Sequence, residues 1–281
     1  MLSRIMSPVA RELGMMESVL SAESAFGVPG ADSVAMHVSE KAGKKIRPAV
    51  FLLAARALSN DGFEARAAEM AKIAAAIELV HTASLLHDDV LDESMTRRGR
   101  PSANALFGNR ASILAGDLLW CRASEIIIKT ENPRLLTEFV RAARRTTLGE
   151  MMEESSHNDR DAYLAMVEAK TGSLFSVAAH SAAIVTSSGE GLEEALSDYG
   201  SSLGIAFQIA DDVIDSGDDK NPLTAKAVFM LGGKTDALKL ALEFSERAKG
   251  RLAGLPPSGE IESLRLLADY AVSRAKQLHS F

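Results

Sequence analysis

Two stretches repeat one acid pattern, Asp88-Asp89-Val90-Leu91-Asp92 and Asp211-Asp212-Val213-Ile214-Asp215. Each sits in a run whose apolar residues recur at helical rather than alternating spacing. On a helix, positions i, i+1 and i+4 bring three carboxylates to one side. Like charges at i,i+4 cost an isolated helix about 0.2–0.5 kcal/mol, and taking them out of water costs more unless a cation compensates. One such triplet reads equally well as a solvated helix end. Two, both in hydrophobic surroundings, point instead to helices whose carboxylates face shared divalent ions.

The rest of the pattern is helical too, and strand signals are nearly absent. Helices are expected over about 1–25, 32–42, 48–58, 63–93, 110–129 and 134–156. Another, capped by Asp159 or Asp161, runs to about Ser187, and a further one ends in the second triplet. Two or three more follow, divided by Gly232-Gly233 and by Leu255-Pro256-Pro257-Ser258-Gly259. No repeat and no linker divides the chain. The expectation is one all-α domain over 1–281, a bundle of about ten or more helices around a central apolar cavity.

With 281 residues, 47% of them hydrophobic and 25% charged, the chain can bury a large core. A net charge of −7 argues against a general nucleic-acid surface. Cys121 is the only cysteine, which leaves no disulfide framework or thiolate zinc site and suits a reducing compartment. Arg4, Pro8, Arg11 and Glu12 interrupt the first twenty residues, unlike a signal peptide. No stretch reaches the ~20 apolar residues of a transmembrane helix. A soluble, cytoplasmic protein is expected.

Two basic clusters accompany the acids. Arg97-Arg98-Gly99-Arg100-Pro101 follows the first triplet almost at once, and Gly43-Lys44-Lys45-Ile46-Arg47-Pro48 lies well upstream. Acids suited to hard cations beside arginines suited to phosphate suggest a site for a metal-bound polyphosphate. Gly232-Gly233-Lys234-Thr235 is not a P-loop, because the earlier glycine is replaced by Val228 and no strand precedes it. A helix stop followed by a Thr235 cap is the expected reading there.

Taken together, the two triplets and the two basic clusters resemble the trans-type isoprenyl diphosphate synthases, most of all the bacterial long-chain polyprenyl synthases. The resemblance spans roughly Gly43 to Asp215. It implies that Asp88, Asp89 and Asp92, with Asp211, Asp212 and Asp215, hold magnesium, three ions when substrate is bound, against an allylic diphosphate. It places Arg97 and Lys170 on that diphosphate. Lys44, Arg47, His81 and Arg98 match the pocket for isopentenyl diphosphate, and Thr171 and Gln208 lie near the reacting carbons. A homodimer is implied as well, with a heteromer as the alternative.

The chemistry accounts for these residue types. Ionising an allylic diphosphate separates a carbocation from a highly charged leaving group, so the barrier is chiefly electrostatic. The second diphosphate needs a metal-poor site made of side-chain cations, and the carbocation needs a dry cavity. Ala83 and Ser84, one turn before Asp88, are small where the family uses an aromatic to stop chain growth, so a product longer than farnesyl is expected. One departure stands out: most of the family's Lys-containing loop after the second triplet is missing, and Lys220 is the candidate replacement. A non-catalytic subunit of a heteromeric synthase and a terpene cyclase are the competing readings. A cyclase has no use for a second diphosphate pocket.

Overall fold

The computed structural model describes residues 1–39, 43–59, 62–154, 159–216 and 222–276. Helices account for nearly all of it: α1 (Leu2–Ile5), α2 (Ala10–Glu23), α3 (Pro29–Ser39), α4 (Ile46–Leu58), α5 (Ala67–Leu91), α6 (Ala103–Phe107) and α7 (Asn109–Ile128). Then come α8 (Pro133–Glu154), α9 (Arg160–Val167), α10 (Ser173–Val185), α11 (Glu190–Asp215), α12 (Pro222–Met230), α13 (Lys234–Arg251) and α14 (Gly259–Lys276). The all-α expectation is met. Pro29 opens α3 at the first helical position, where its missing N–H costs nothing, so this helix starts earlier than expected. Pro48 sits in the first turn of α4 for the same reason. Asp159, one of the two expected caps, accepts from the Ala162 N–H at 2.8 Å. Thr235 lies inside α13, and the cap is Gly233 at φ 95°. The left-handed backbone there belongs to glycine rather than threonine.

Packing divides the chain into two compact units. The first comprises Met1–Pro8, Leu53–Asn60 and Thr137–Phe281; the second comprises Val9–Leu52 and Asp61–Leu136. In the second unit α5 is apolar nearly all round, the pattern of a helix buried on every side. Ala71, Ala74, Ala75 and Ala76 are fully buried and let neighbouring helices approach closely. The helices α2 and α7 pack against α5, and α3 and α6 pack against α7. In the first unit α11 is the central element, contacted by α10, α12, α13 and α14. Its core there joins Ile205, Ile209 and Val213 to Tyr163, Leu240 and Val272.

The basic turn after the first triplet is a minimal hairpin. Thr96–Arg97 pairs antiparallel with Arg100–Pro101, with Arg97 opposite Arg100. Its two loop residues, Arg98 at φ 53° and Gly99 at φ 73°, both have the positive φ that a two-residue type I′ turn requires. Holding an arginine in that conformation costs about 1–2 kcal/mol.

Both acid triplets occupy the last turn of their helices: α5 ends at Leu91 with Asp92 as its cap, and α11 ends at Asp215. That is the carbonyl end, carrying about half a negative charge from the helix dipole, where acids are disfavoured by roughly 0.3–1 kcal/mol each.

The crossing of α10 and α11 depends on Gly200, where an added Cβ would lie 2.3 Å from the Phe175 carbonyl oxygen. Gly200→Ala should cost about 1–3 kcal/mol, lowering Tm by roughly 3–10 °C in a thermal melt. Gly191→Ala, with open space around it, should leave Tm within about 2 °C or raise it slightly.

Candidate active site

In the second unit, Asp89 is 3% exposed and accepts from Arg97 Nε at 2.6 Å. The Asp89 backbone carbonyl takes the buried Asn104 amide at 3.0 Å and the Ser94 N–H at 2.9 Å, which satisfies one of the orphan carbonyls at the end of α5. Ser102 ties the hairpin down by donating to the Ser94 carbonyl at 2.5 Å. Asp88 is half-buried and Asp92 exposed. The middle carboxylate therefore anchors the hairpin, while its two neighbours, one turn apart, lie toward solvent.

One turn and more upstream on α5, Glu78 and His81 meet cations supplied by α4 and the hairpin. Arg47 Nη1 lies 3.2 Å from His81 Nε2. A guanidinium can only donate, so Nε2 accepts and the ring proton is on Nδ1. Burial, then the charges of Arg47, Arg98 and Arg97, hold His81 well below its usual range, so the ring is neutral. Its Nδ1 is buried without a hydrogen-bond partner among the described residues. Burial likewise lowers Arg47 to about 10, partly offset by Glu78. Glu78 is 6% exposed and pushed up by burial, with Arg47, Lys45 and Arg98 working against that shift. Several arginines around one buried glutamate leave an excess of positive charge. Gly43 makes room for this cluster, since a Cβ there would meet Arg98 Nη2 at 2.5 Å. Lys44 is exposed, and Lys45 Nζ binds Glu17. Ala83 is buried, and half-buried Ser84 donates to the His81 carbonyl at 2.8 Å.

In the first unit, a single turn of π-helix, Glu168–Gly172, carries Lys170 and Thr171. Such turns bulge side chains outward and are frequent at functional sites. Thr171 donates to Gln208 Oε1 at 3.0 Å, and Gln208 Nε2 donates to Asp212 Oδ1 at 2.9 Å. The Tyr163 hydroxyl donates to the other Asp212 oxygen. Burial pushes Asp212 up to about 6, opposed by the Tyr163 and Gln208 hydrogen bonds and reinforced by Glu153 and Asp215. Asp211 accepts from Arg274 of α14, whose guanidinium lies 4.0 Å from the centre of the Phe207 ring. Asp215 is exposed.

The donor chemistry suits magnesium. Every acid concerned offers hard oxygen ligands, and in each triplet the middle acid is buried on protein donors while its flanking partners lie one turn apart. Among the described residues no three His, Cys, Asp or Glu side chains form a ready-made cage. Magnesium takes one or two carboxylates plus water and substrate phosphate rather than an all-protein cage. Asp88 with Asp92, and Asp211 with Asp215, are the residues suited to hold it.

The polyprenyl synthetase family model matches residues 29–228, most of the chain. The chain belongs to the polyprenyl synthetase family. Members of that family are trans-prenyltransferases of isoprenoid biosynthesis. The chain is 41% identical over 192 residues to an octaprenyl diphosphate synthase of Haemophilus influenzae, a match covering 67% of this chain and 57% of the relative. Its fold is similar to a decaprenyl diphosphate synthase from Rhodobacter capsulatus, with a TM-score of 0.88, 29% identity and coverage of 98% and 99% of the two chains. It is also similar to a polyprenyl synthase from Caulobacter crescentus solved with calcium and isoprenyl diphosphate, with a TM-score of 0.87, 28% identity and 98% of each chain covered.

Within this family frame, several residues that sequence reasoning passed over contact the expected ones. Glu78 had a readable signal, an acid one turn before His81 amid the apolar residues 73–80. Glu150 and Glu153 lie one turn apart on α8, but nothing in the sequence near them suggests a partner. Tyr163 and Arg274 are 49 and 63 positions from the acids they contact, and nothing local marks them. Lys220 lies outside the described residues, as does the rest of 217–221.

Tyr163→Phe removes a donor from a buried carboxylate and leaves the ring in place. It should destabilise the protein by about 1–3 kcal/mol, visible as a lowered midpoint in urea unfolding. An unchanged midpoint would mean that Asp212 does not depend on this hydroxyl.

Proposed function

We propose that this chain is a magnesium-dependent prenyltransferase that condenses an allylic diphosphate with isopentenyl diphosphate into a trans-polyprenyl diphosphate longer than farnesyl. Residues 1–281 act in this reading as one catalytic domain comprising both units. The observation that carries it is the pairing, within one unit, of an acid-ended α5 with the separate cationic cluster of Arg47, Arg98 and His81. A metal-bound diphosphate needs the first; a second diphosphate, held without metal, needs the second. Family membership and long-chain relatives support the same reading.

The roles follow from the chemistry. Asp88, Asp92, Asp211 and Asp215 hold the cations, with Asp89 and Asp212 as buried anchors of their neighbours. Bound magnesium supplies Lewis-acid pull on the departing diphosphate oxygens, worth several kcal/mol. Arg97 and Lys170 bind the allylic diphosphate. Lys44, Arg47 and Arg98 bind the isopentenyl diphosphate, and the neutral His81 directs its Nδ1 proton toward it. Thr171 and Gln208 orient polar groups toward the reacting carbons. Ala83 and Ser84 leave space for a growing tail. No helix among the described residues is long and apolar enough to cross a membrane, and the reaction is assigned to the cytoplasm. Leu106 and Phe107 of α6, with Ile113, Leu114 and Leu118 of α7, are exposed apolar residues, and they support a homodimer through this surface.

The purified chain, given magnesium, isopentenyl diphosphate and a panel of allylic starters, should yield polyprenyl diphosphates longer than farnesyl by mass spectrometry, and EDTA should abolish turnover. Absence of product with every starter would favour a non-catalytic subunit, and cyclic hydrocarbons would favour a cyclase. Ala83→Phe and Ser84→Phe should shorten the products while condensation persists; an unchanged product spectrum in both would refute the role of these positions in chain length.

A further inference from the structure

Lys170 Nζ lies 2.7 Å from Glu150 Oε2 and also binds Glu153 Oε2. All three side chains are largely withdrawn from water, at 21%, 15% and 30% exposure. The geometry is built rather than incidental. Glu150 and Glu153 lie one turn apart on α8, and Lys170 is carried on the π-turn of Glu168–Gly172. Between the two acids and the lysine the backbones nearly touch at Gly149, where a Cβ would fall 2.3 Å from the Lys170 nitrogen and 2.7 Å from its Cα. A residue with any side chain at 149 would push the lysine off its acids.

Two carboxylates on one ammonium leave the group with net charge −1. A lysine in that state repels an anion instead of attracting it. We propose that Glu150 and Glu153 are positioning residues that clamp Lys170 and keep it from binding diphosphate until divalent cation neutralises the surrounding acids. The inference rests on the assignment of Lys170 to the allylic diphosphate made above. Its consequence is obligatory order: bare diphosphate, including released product, is refused, and the cation–diphosphate complex is accepted. The acids thereby make Lys170 report on cation occupancy although they need not be ligands themselves. Glu153 also adds to the negative field at Asp212, so neutralising either group eases the other.

The test is calorimetric binding of inorganic pyrophosphate to the purified full chain, in EDTA and in saturating magnesium. Glu150→Gln/Glu153→Gln preserves shape and hydrogen-bonding reach, and a thermal melt checks that it folds. In EDTA this variant should bind pyrophosphate about tenfold or more tightly than the parent chain, a change of 1.4 kcal/mol or greater, and Lys170→Gln added to it should abolish the gain. In magnesium the parent and the double variant should differ less. Unchanged or weaker metal-free binding in a folded double variant, with Lys170→Gln still weakening binding in magnesium, overturns the clamp and leaves the Lys170 assignment standing. If Lys170→Gln alone leaves magnesium–pyrophosphate binding unchanged, the assignment itself falls and the clamp with it.

Discussion

Carboxylates at the carbonyl end of a helix are repelled by one another and by the helix dipole. The ends of α5 and α11 both keep three acids in that position, and much of the surrounding structure answers to it. Each end has its middle acid buried on protein donors, and at α11 Arg274 also reaches Asp211. Arg97 and the Asn104 amide fix Asp89; Tyr163 and Gln208 fix Asp212. The flanking acids lie nearer solvent than the middle one, where a cation would offset the repulsion that the helix end imposes.

The same division of labour explains the polar chemistry of each unit. Burial favours neutral forms, and it acts on His81 and Asp212 in that sense. A neutral imidazole beside Arg47 adds a directed proton donor to a cationic pocket without adding a further charge. In the first unit the chain of contacts from Thr171 through Gln208 to Asp212 fixes the orientation of the Gln208 amide, since its carbonyl accepts and its NH2 donates. A substitution at any member therefore disturbs the orientation of the rest. Glycines serve the same ends: Gly43 admits Arg98, and Gly149 admits the Lys170 backbone.

Much of this was legible in the residues. Helical periodicity located the long helices and Asp159 was legible as a cap, whereas Pro29 was read as part of a turn and Thr235 stood in for Gly233, although the causes at both act within a turn. The acid triplets and basic clusters were visible because their signal is repetition at fixed short spacing. The π-turn at Lys170 was not, because helical sequence reads alike whether the ladder closes at i+4 or i+5. The Arg97–Arg100 hairpin was read only as a basic segment, since two-residue strands are too short to show alternation, and the short α6 was not read at all.

The sequence alone determined that this chain is all-helical, that two helices end in paired acid sets, and that arginines accompany the first set. Those properties depend on neighbours within a few positions, where spacing dictates geometry. Only the tertiary structure decided which acid of each triplet is buried, that Tyr163 and Arg274 bind Asp212 and Asp211, and that Lys170 is held between Glu150 and Glu153. Those facts depend on which helix packs where, and contacts between residues tens of positions apart are set by burial and shape rather than by local pattern.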